Sequence, residues 1–289
     1  MTRRLGVIGG SGLYQLPGLA GGEWMELTTP WGRPSDQLFI GWLGETELAF
    51  LPRHGRGHAI APHEINYRAN IAALKQAGCT HVLAVSACGS FREELPPGTF
   101  VVIDQYDDRT RGQREPSFFG GGIVAHAAFA EPVCPVLSGV AADALAGLGL
   151  PHQAGGTFVI IDGPRFSTRA ESIRFRADGG DVIGMTGLPE ANLAREAELP
   201  YACVACVTDF DAWHSEHDAV DVSAVVAVLR ANAESAKRVV AEVARLLPLA
   251  APSPAAITRA LDHAIITPRD LWPEAATERL RALAPRLFG

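Results

Sequence analysis

Apolar positions fall into two patterns along this chain: short unbroken runs, and longer amphipathic stretches with a helical period. The runs predict strands buried on both faces, and the amphipathic stretches predict helices that cover them. Leu5–Ile8, Phe39–Leu43, Leu48–Leu51, Val82–Val85, Phe100–Ile103, Gly156–Ile161, Val182-Ile183 and Tyr201–Val207 read as strands. Asn66–Ala77, Ser138–Leu148, Arg169–Ala177, Glu190–Glu198 and Val222–Leu247 read as helices, the first stopping at Gly78 and the last free of Gly and Pro. Residues 109–130 have no clear period and read as a long ordered loop. Strands alternating with helices define an α/β class. No repeat and no second core is visible, so residues 1–250 are expected to form one domain. Residues 251–289, set off by the proline-rich Ala250–Pro254, read as a C-terminal extension packed on that domain or on a neighbouring subunit.

Composition narrows the function. A net charge of −7 without a dense basic stripe argues against nucleic-acid binding. No stretch approaches the roughly 18–20 apolar residues of a membrane span, and the start Met1-Thr-Arg-Arg lacks an export signal. Five cysteines in apolar segments suit reduced thiols in the cytoplasm. Cys203 and Cys206 have metal-pair spacing, but three residues apart on a strand they face opposite sides, and no metal is expected.

The polar residues that interrupt this pattern sit after strands. Asp209 and Asp211 flank Phe210 beyond the run Tyr201–Val207; two apart, they point the same way at the sheet edge where α/β proteins bind ligands. Gly9-Gly-Ser-Gly12 lacks the third glycine and the following acidic strand of a dinucleotide fingerprint, which leaves a nicotinamide-dependent oxidoreductase as a distant alternative. As a turn it could hold one phosphate on its N–H groups and Ser11, or hold nothing. Arg53, His54, Arg56 and His58 crowd a glycine-rich segment suited to an oxyanion, with the hydroxyls of Ser86 and Thr186 just past other strands. Phe166 could stack on a planar base or lie in the core.

The blocks Gly-Val-Ile-Gly-Gly-Ser-Gly-Leu (6–13), Arg-His-Gly-Arg (53–56), Asn-Tyr-Arg-Ala-Asn (66–70) and Ala-Cys-Gly-Ser (87–90) stand in order with three more. These are Gly-Pro-Arg-Phe-Ser-Thr-Arg-Ala-Glu-Ser (163–172), Met-Thr-Gly-Leu-Pro-Glu (185–190) and Thr-Asp-Phe-Asp-Ala-Trp (208–213). Together they resemble the trimeric purine nucleoside phosphorylase family, in its methylthioadenosine-cleaving branch, from about residue 5 to 247. The resemblance implies a mixed central β-sheet flanked by helices and a homotrimer. It implies attack of inorganic phosphate on 5′-methylthioadenosine, giving adenine and 5-methylthioribose 1-phosphate, with phosphate as co-substrate and no cofactor. Phosphate ligands would be Ser11, Arg53, His54, Ser86, the backbone at Ala87, and Thr186. Met185 would lie against the ribose, and Phe166, Ser167, Asp209, Phe210 and Asp211 around the base. Val222, Val225 and Val226 would form the methylthio pocket. His126 would serve a neighbouring subunit's site, a role the resemblance extends to Ile266.

The chemistry suits those residues. Glycosidic cleavage leaves negative charge on the purine, and a buried carboxyl of raised pKa beside a second carboxylate can hold the proton that neutralises it. That role falls to Asp209, with Asp211 tuning it or accepting from the exocyclic amine. Relatives acting on 6-oxopurines have glutamate at Ser167 and asparagine at Asp209, so an adenine substrate is expected. Gly184 and Gly187, as in some of those relatives, keep a 6-oxopurine nucleoside or methylthioinosine as the alternative. A non-catalytic nucleoside sensor is the third reading.

Overall fold

The computed structural model describes residues 3–10, 12–214 and 222–289. Ser11 lies outside them, as do the side chains of Val222, Val225 and Val226. The strands are β1 (Arg4–Gly9), β2 (Ala20–Met25), β3 (Leu38–Leu43), β4 (Thr46–Pro52), β5 (His81–Ser90), β6 (Phe100–Val102), β7 (Gln105–Asp108), β8 (His152–Ala154), β9 (Thr157–Ile160), β10 (Val182–Gly184) and β11 (Tyr201–Asp209). The helices are α1 (Tyr67–Gln76), α2 (Pro135–Gly147), α3 (Arg169–Ala177), α4 (Glu190–Glu196), α5 (Val222–Leu246), α6 (Ala255–Thr258), α7 (Glu274–Arg281) and α8 (Pro285–Phe288).

All strands join one mixed sheet, and its centre is β5. β1 pairs with β5 in parallel from Leu5↔His81 to Ile8↔Ala84 and then leaves it. β10 reaches the same edge only at Gly89 and Ser90, antiparallel. On the other edge β11 runs parallel to β5, with a register shift between Val207 and Asp209. The sheet therefore forks beside residues 85–88, and this gap in the ladder is where the polar residues gather.

The unbroken apolar runs follow from burial on both faces. Cys203 and Ala205 of β11 pack with Ile71 and Leu74 of α1 and with Ala194 of α4. Ala202, Val204 and Cys206 pack on the opposite face with Leu137 of α2 and Val240 of α5. Each fully buried Val, Leu or Ile side chain among these contributes about 1.5–3 kcal/mol relative to exposure. Cys203 and Cys206 thus lie on opposite faces, and all five cysteines are buried free thiols.

The strand pattern differs from expectation in three places. The glycine-rich segment around Glu23 forms an edge strand, β2, because pairing with β3 supplies backbone hydrogen bonds that an exposed, apolar-poor sequence does not advertise. β7 and β8 are too short to carry a periodic signal. β5 does not end at Val85 but runs on to Ser90, held by β11, so Ser86 is a strand residue rather than a loop residue.

Residues 251–289 return to the same core. Leu280, Leu283, Ala284 and Phe288 are buried in it, Arg286 pairs with Glu198, and the Phe288 ring meets Trp272 at 4.9 Å. No helix among the described residues is long and apolar enough to cross a membrane.

Candidate active site

Two cavities open at the fork, of about 570 and 320 Å³, and both are walled by His54, His58, Ala87 and Thr186. The larger also touches Gly10, Gly12, Arg53 and Ser86, and faces α5 through Asn232 and Lys237. The smaller continues to Phe166, Ser167, Met185, Asp209 and Asp211. A polar end at Arg53 and Ser86 and a second end at Phe166, Asp209 and Asp211 therefore share one cleft.

At the polar end Arg53 follows β4 and is only 2% exposed. Its Nη1 donates to the Val85 carbonyl at 2.9 Å, on the open edge of β5. Backbone groups alternate sides along a strand, so Ala87, two residues on, turns its N–H to the same open edge. Ser86 Oγ and Thr186 Oγ1 lie 3.1 Å apart across the fork.

Arg53 is not a free anion fork, however. Its Nε and Nη2 donate to Glu190 at 2.5 and 3.0 Å, and the Tyr201 hydroxyl donates to the same carboxylate at 3.1 Å. Burial works against the charged guanidinium, but the Glu190 carboxylate outweighs it and holds the pKa above the ordinary value. Two N–H bonds, one on each Nη, remain for a ligand. Glu190 is fully buried at the start of α4, and its role was not read from sequence.

His54 also departs from the expected donor. Its Nδ1 lies 2.9 Å from the Ile60 carbonyl, which can only accept, so the proton sits on Nδ1. Burial, with the Arg53 charge adding to it, pushes the imidazole pKa down to about 4. The ring is neutral at pH 7 and presents a lone pair at Nε2. His58 stacks on it at 4.2 Å. Arg56 turns away, bound to Asp36 and lying over Trp24. The glycine turn leads to strand β2 and not to a helix, which removes the structural context of a dinucleotide fingerprint.

At the other end Asp209 and Asp211 do converge, and Gly89 makes room for both. A Cβ there would meet Asp209 Oδ1 at 3.0 Å and Asp211 Cβ at 3.2 Å. Burial pushes the Asp209 carboxyl up to about 6, against the Thr208 hydroxyl that bonds it at 2.7 Å and with the help of Asp211's charge. Burial raises Asp211 as well, while the nearby hydroxyls of Ser172 and Ser167 pull it down. Asp211 Oδ2, Ser167 Oγ and Ser172 Oγ are buried and make no hydrogen bond of normal geometry, although both hydroxyls lie close enough to stabilise the Asp211 carboxylate. Such groups cost on the order of 1–3 kcal/mol each until something pairs with them.

Phe166, 42% exposed, forms one wall of this end. Phe210 does not line the cleft: its ring packs 5.0 Å from His214 and 6.3 Å from Trp213. β11 ends at Asp209, so Asp211 is brought beside it by the loop that follows the strand and not by strand alternation. Met185 packs against Gly163, whose φ of +68° and lack of a side chain leave space for its thioether. Gly184 and Gly187 answer to neighbouring rings, since a Cβ would meet Phe158 at 2.8 Å and Tyr106 at 3.0 Å. Packing thus accounts for a glycine at both positions, and Gly184 also lines the base end of the cleft.

His126 and Ile266 lie away from this cleft but beside each other. Ile266 N donates to Val124 O at 2.9 Å and His126 N to Ala264 O at 2.8 Å, forming one exposed ridge. No cluster of three or more metal-ligating side chains occurs among the described residues.

The model of the phosphorylase superfamily matches residues 4–245. S-methyl-5′-thioadenosine phosphorylase of Rhodospirillum rubrum is 53% identical, covering 99% of this chain and 97% of its own. The enzyme of the same name from Bradyrhizobium diazoefficiens is 50% identical over 98% of both. A crystal structure of methylthioadenosine phosphorylase from an Antarctic soil metagenomic library superposes with a TM-score of 0.91 at 41% identity, over 98% of this chain and 99% of that one. The methylthioadenosine phosphorylase of Schistosoma mansoni in complex with adenine superposes with a TM-score of 0.80 at 41% identity, over 86% and 92%.

Proposed function

The chain belongs to the phosphorylase superfamily, and from that premise we propose how its cleft works as that of a pentosyltransferase of the purine nucleoside phosphorylase type. It splits 5′-methylthioadenosine with inorganic phosphate into adenine and 5-methylthioribose 1-phosphate. The observation that carries the residue roles is the continuity of the cleft: an anion end and a base end meet at Ala87 and Thr186, where a sugar would bridge them.

Phosphate sits at the fork of the sheet. The two spare N–H bonds of Arg53, the Ala87 N–H and the Ser86 and Thr186 hydroxyls donate to it, with Ser11 from the glycine turn. His54 Nε2 accepts the remaining O–H of the hydrogen phosphate dianion, which orients its other oxygens toward the sugar. The bound dianion stabilises the cationic sugar of the transition state, and no further cofactor is needed. The base lies along Phe166. Asp209, with its raised pKa, delivers a proton or a strong hydrogen bond to the purine nitrogen as the bond breaks. Asp211, Ser167 and Ser172 form a buried acceptor and two hydroxyls held only by loose contacts with one another, a set that an exocyclic amine and a ring nitrogen satisfy better. A 6-oxo group would place a lone pair against the Asp211 oxygen, so adenine is the favoured base.

The functional unit is a trimer. Its support is the ridge that joins His126 to Ile266, the two residues expected to reach a neighbouring site, on one exposed surface. The cytoplasm is its place of work, in keeping with five free thiols.

The test is chromatography of bases after incubation with 5′-methylthioadenosine or methylthioinosine, with and without phosphate. Adenine release that requires phosphate is expected. Preference for methylthioinosine would overturn the base assignment, and release without phosphate would overturn phosphorolysis.

A further inference from the structure

Arg114 lies in the aperiodic loop of residues 109–130, outside every motif singled out above, and it is 7% exposed. No carboxylate pairs with it in the structure's ion pairs among the described residues. Its guanidinium is instead spent on four backbone carbonyls. Nη1 donates to Leu188 O at 2.6 Å, and Nη2 shares its hydrogens among Met185 O at 2.8 Å, Asp162 O at 3.1 Å and Ile161 O at 3.2 Å. The Tyr67 ring lies 5.2 Å from its Cζ.

Those four carbonyls come from two segments. Ile161 and Asp162 directly follow β9 and open the loop that carries Phe166 and Ser167. Met185 and Leu188 bracket Thr186 in the loop between β10 and α4. The first segment walls the base end of the cleft, and the second gives a hydroxyl to the anion end and a thioether to the sugar position. A planar guanidinium can hold several carbonyls at fixed angles, which an ammonium cannot do. A buried cation held by neutral carbonyls alone, with Nε left unpaired, is not an economical way to stabilise a loop.

We propose that Arg114 is a positioning residue for the reaction, a clamp that fixes the base-binding loop and the phosphate-binding loop at the spacing a nucleoside and phosphate need for in-line contact. The inference rests on the phosphorolytic reading above. Displacement of reacting groups by about 1 Å can cost on the order of a hundredfold in rate, so the clamp acts on turnover even though it touches neither ligand.

The experiment uses the full chain and begins with wild-type phosphate-dependent adenine release. Failure at that step condemns the functional reading and leaves the clamp aside as a separate matter. With wild type active, Arg114→Lys and Arg114→Ala are compared by melting temperature, by kcat, and by KM for 5′-methylthioadenosine and for phosphate. The expected result is a folded Arg114→Lys with kcat reduced roughly ten- to hundredfold and both KM values changed less than kcat. Methylguanidinium, at concentrations that leave the melting temperature unchanged, is expected to restore several-fold activity to Arg114→Ala and none to Arg114→Lys, whose ammonium fills the space. Wild-type kcat in folded Arg114→Lys would overturn the proposal. So would a folded, impaired Arg114→Ala that methylguanidinium does not improve, because loss of packing alone would then explain it.

Discussion

The two ends of the cleft are built on opposite principles. At the anion end the charges are already matched: Arg53 is locked to Glu190, Glu190 also receives the Tyr201 hydroxyl, and the Val85 carbonyl is capped. At the base end the polar atoms of Asp211, Ser167 and Ser172 are buried with only loose contacts among themselves, and Asp209 keeps a carboxyl pushed toward neutrality. The first end gains its shape from the fold and presents only spare donors. The second holds free energy in reserve until a ligand closes its hydrogen bonds. A phosphate needs little discrimination, whereas a purine must be told from its 6-oxo analogue, and unpaired buried groups are what discriminate strongly.

Four substitutions would break or sharpen this contrast, beginning with the largest effect. Arg53→Met leaves Glu190 as an uncompensated buried charge and should lower stability by about 3–5 kcal/mol, read as a fall in melting temperature. Adding Glu190→Leu should recover much of that stability without recovering saturation by phosphate. A double variant that binds phosphate normally would show that Arg53 serves only the fold. Asp209→Asn should leave stability nearly intact and reduce kcat for 5′-methylthioadenosine by roughly 10²–10⁴, with adenine affinity retained in calorimetry. A variant that turns over at the wild-type rate would take the proton donor away from the base end.

Smaller effects probe the reserve itself. Ser167→Ala removes one unpaired hydroxyl, so it should be neutral or slightly stabilising to the fold while weakening adenine binding by about 1 kcal/mol. If stability falls instead, Ser167 is paired in the protein and the contrast is overdrawn there. The pH dependence is smaller again near neutrality. Asp209 is active when protonated and its folded pKa is raised to about 6, so kcat/KM for the nucleoside should decline as pH rises through 6, after the ionisation of phosphate is taken into account. Asp209→Asn should lose that limb.

The anion end and the base end were not equally legible in the sequence. Asp209 could be placed because a buried strand ends in a definite direction at the sheet edge; Asp211 follows in the loop just beyond it. Phe210 was read as a base contact from the motif alone; it lies past the end of β11, where no strand period applies, and its ring packs on Trp213 and His214. Glu190 and Arg114 escaped because their partners are distant: Glu190 meets Arg53 across 137 positions, and Arg114 meets Leu188 across 74. The only hint of either was a buried-type helix start at Glu190 and an arginine in a loop without period. The fork of the sheet was also out of reach, since it depends on where β1 leaves β5 and β10 arrives, and pairing registers are not written in either strand. Hydrophobic pattern gave β5 its first half. The second half, which carries Ser86 and Ala87, is a strand only because β11 holds it.

The most direct test of the central claim is the titration of Asp209 in the free enzyme, followed by carbon NMR of carboxyl-labelled aspartate and assigned by loss of the signal in Asp209→Asn. A midpoint near 6 is expected, well above the ordinary aspartate value of 3.8, in a protein whose other end stays paired throughout. A midpoint at or below 3.8 would mean an ionised Asp209 at every working pH, and would contradict a base end that holds the proton for the leaving purine.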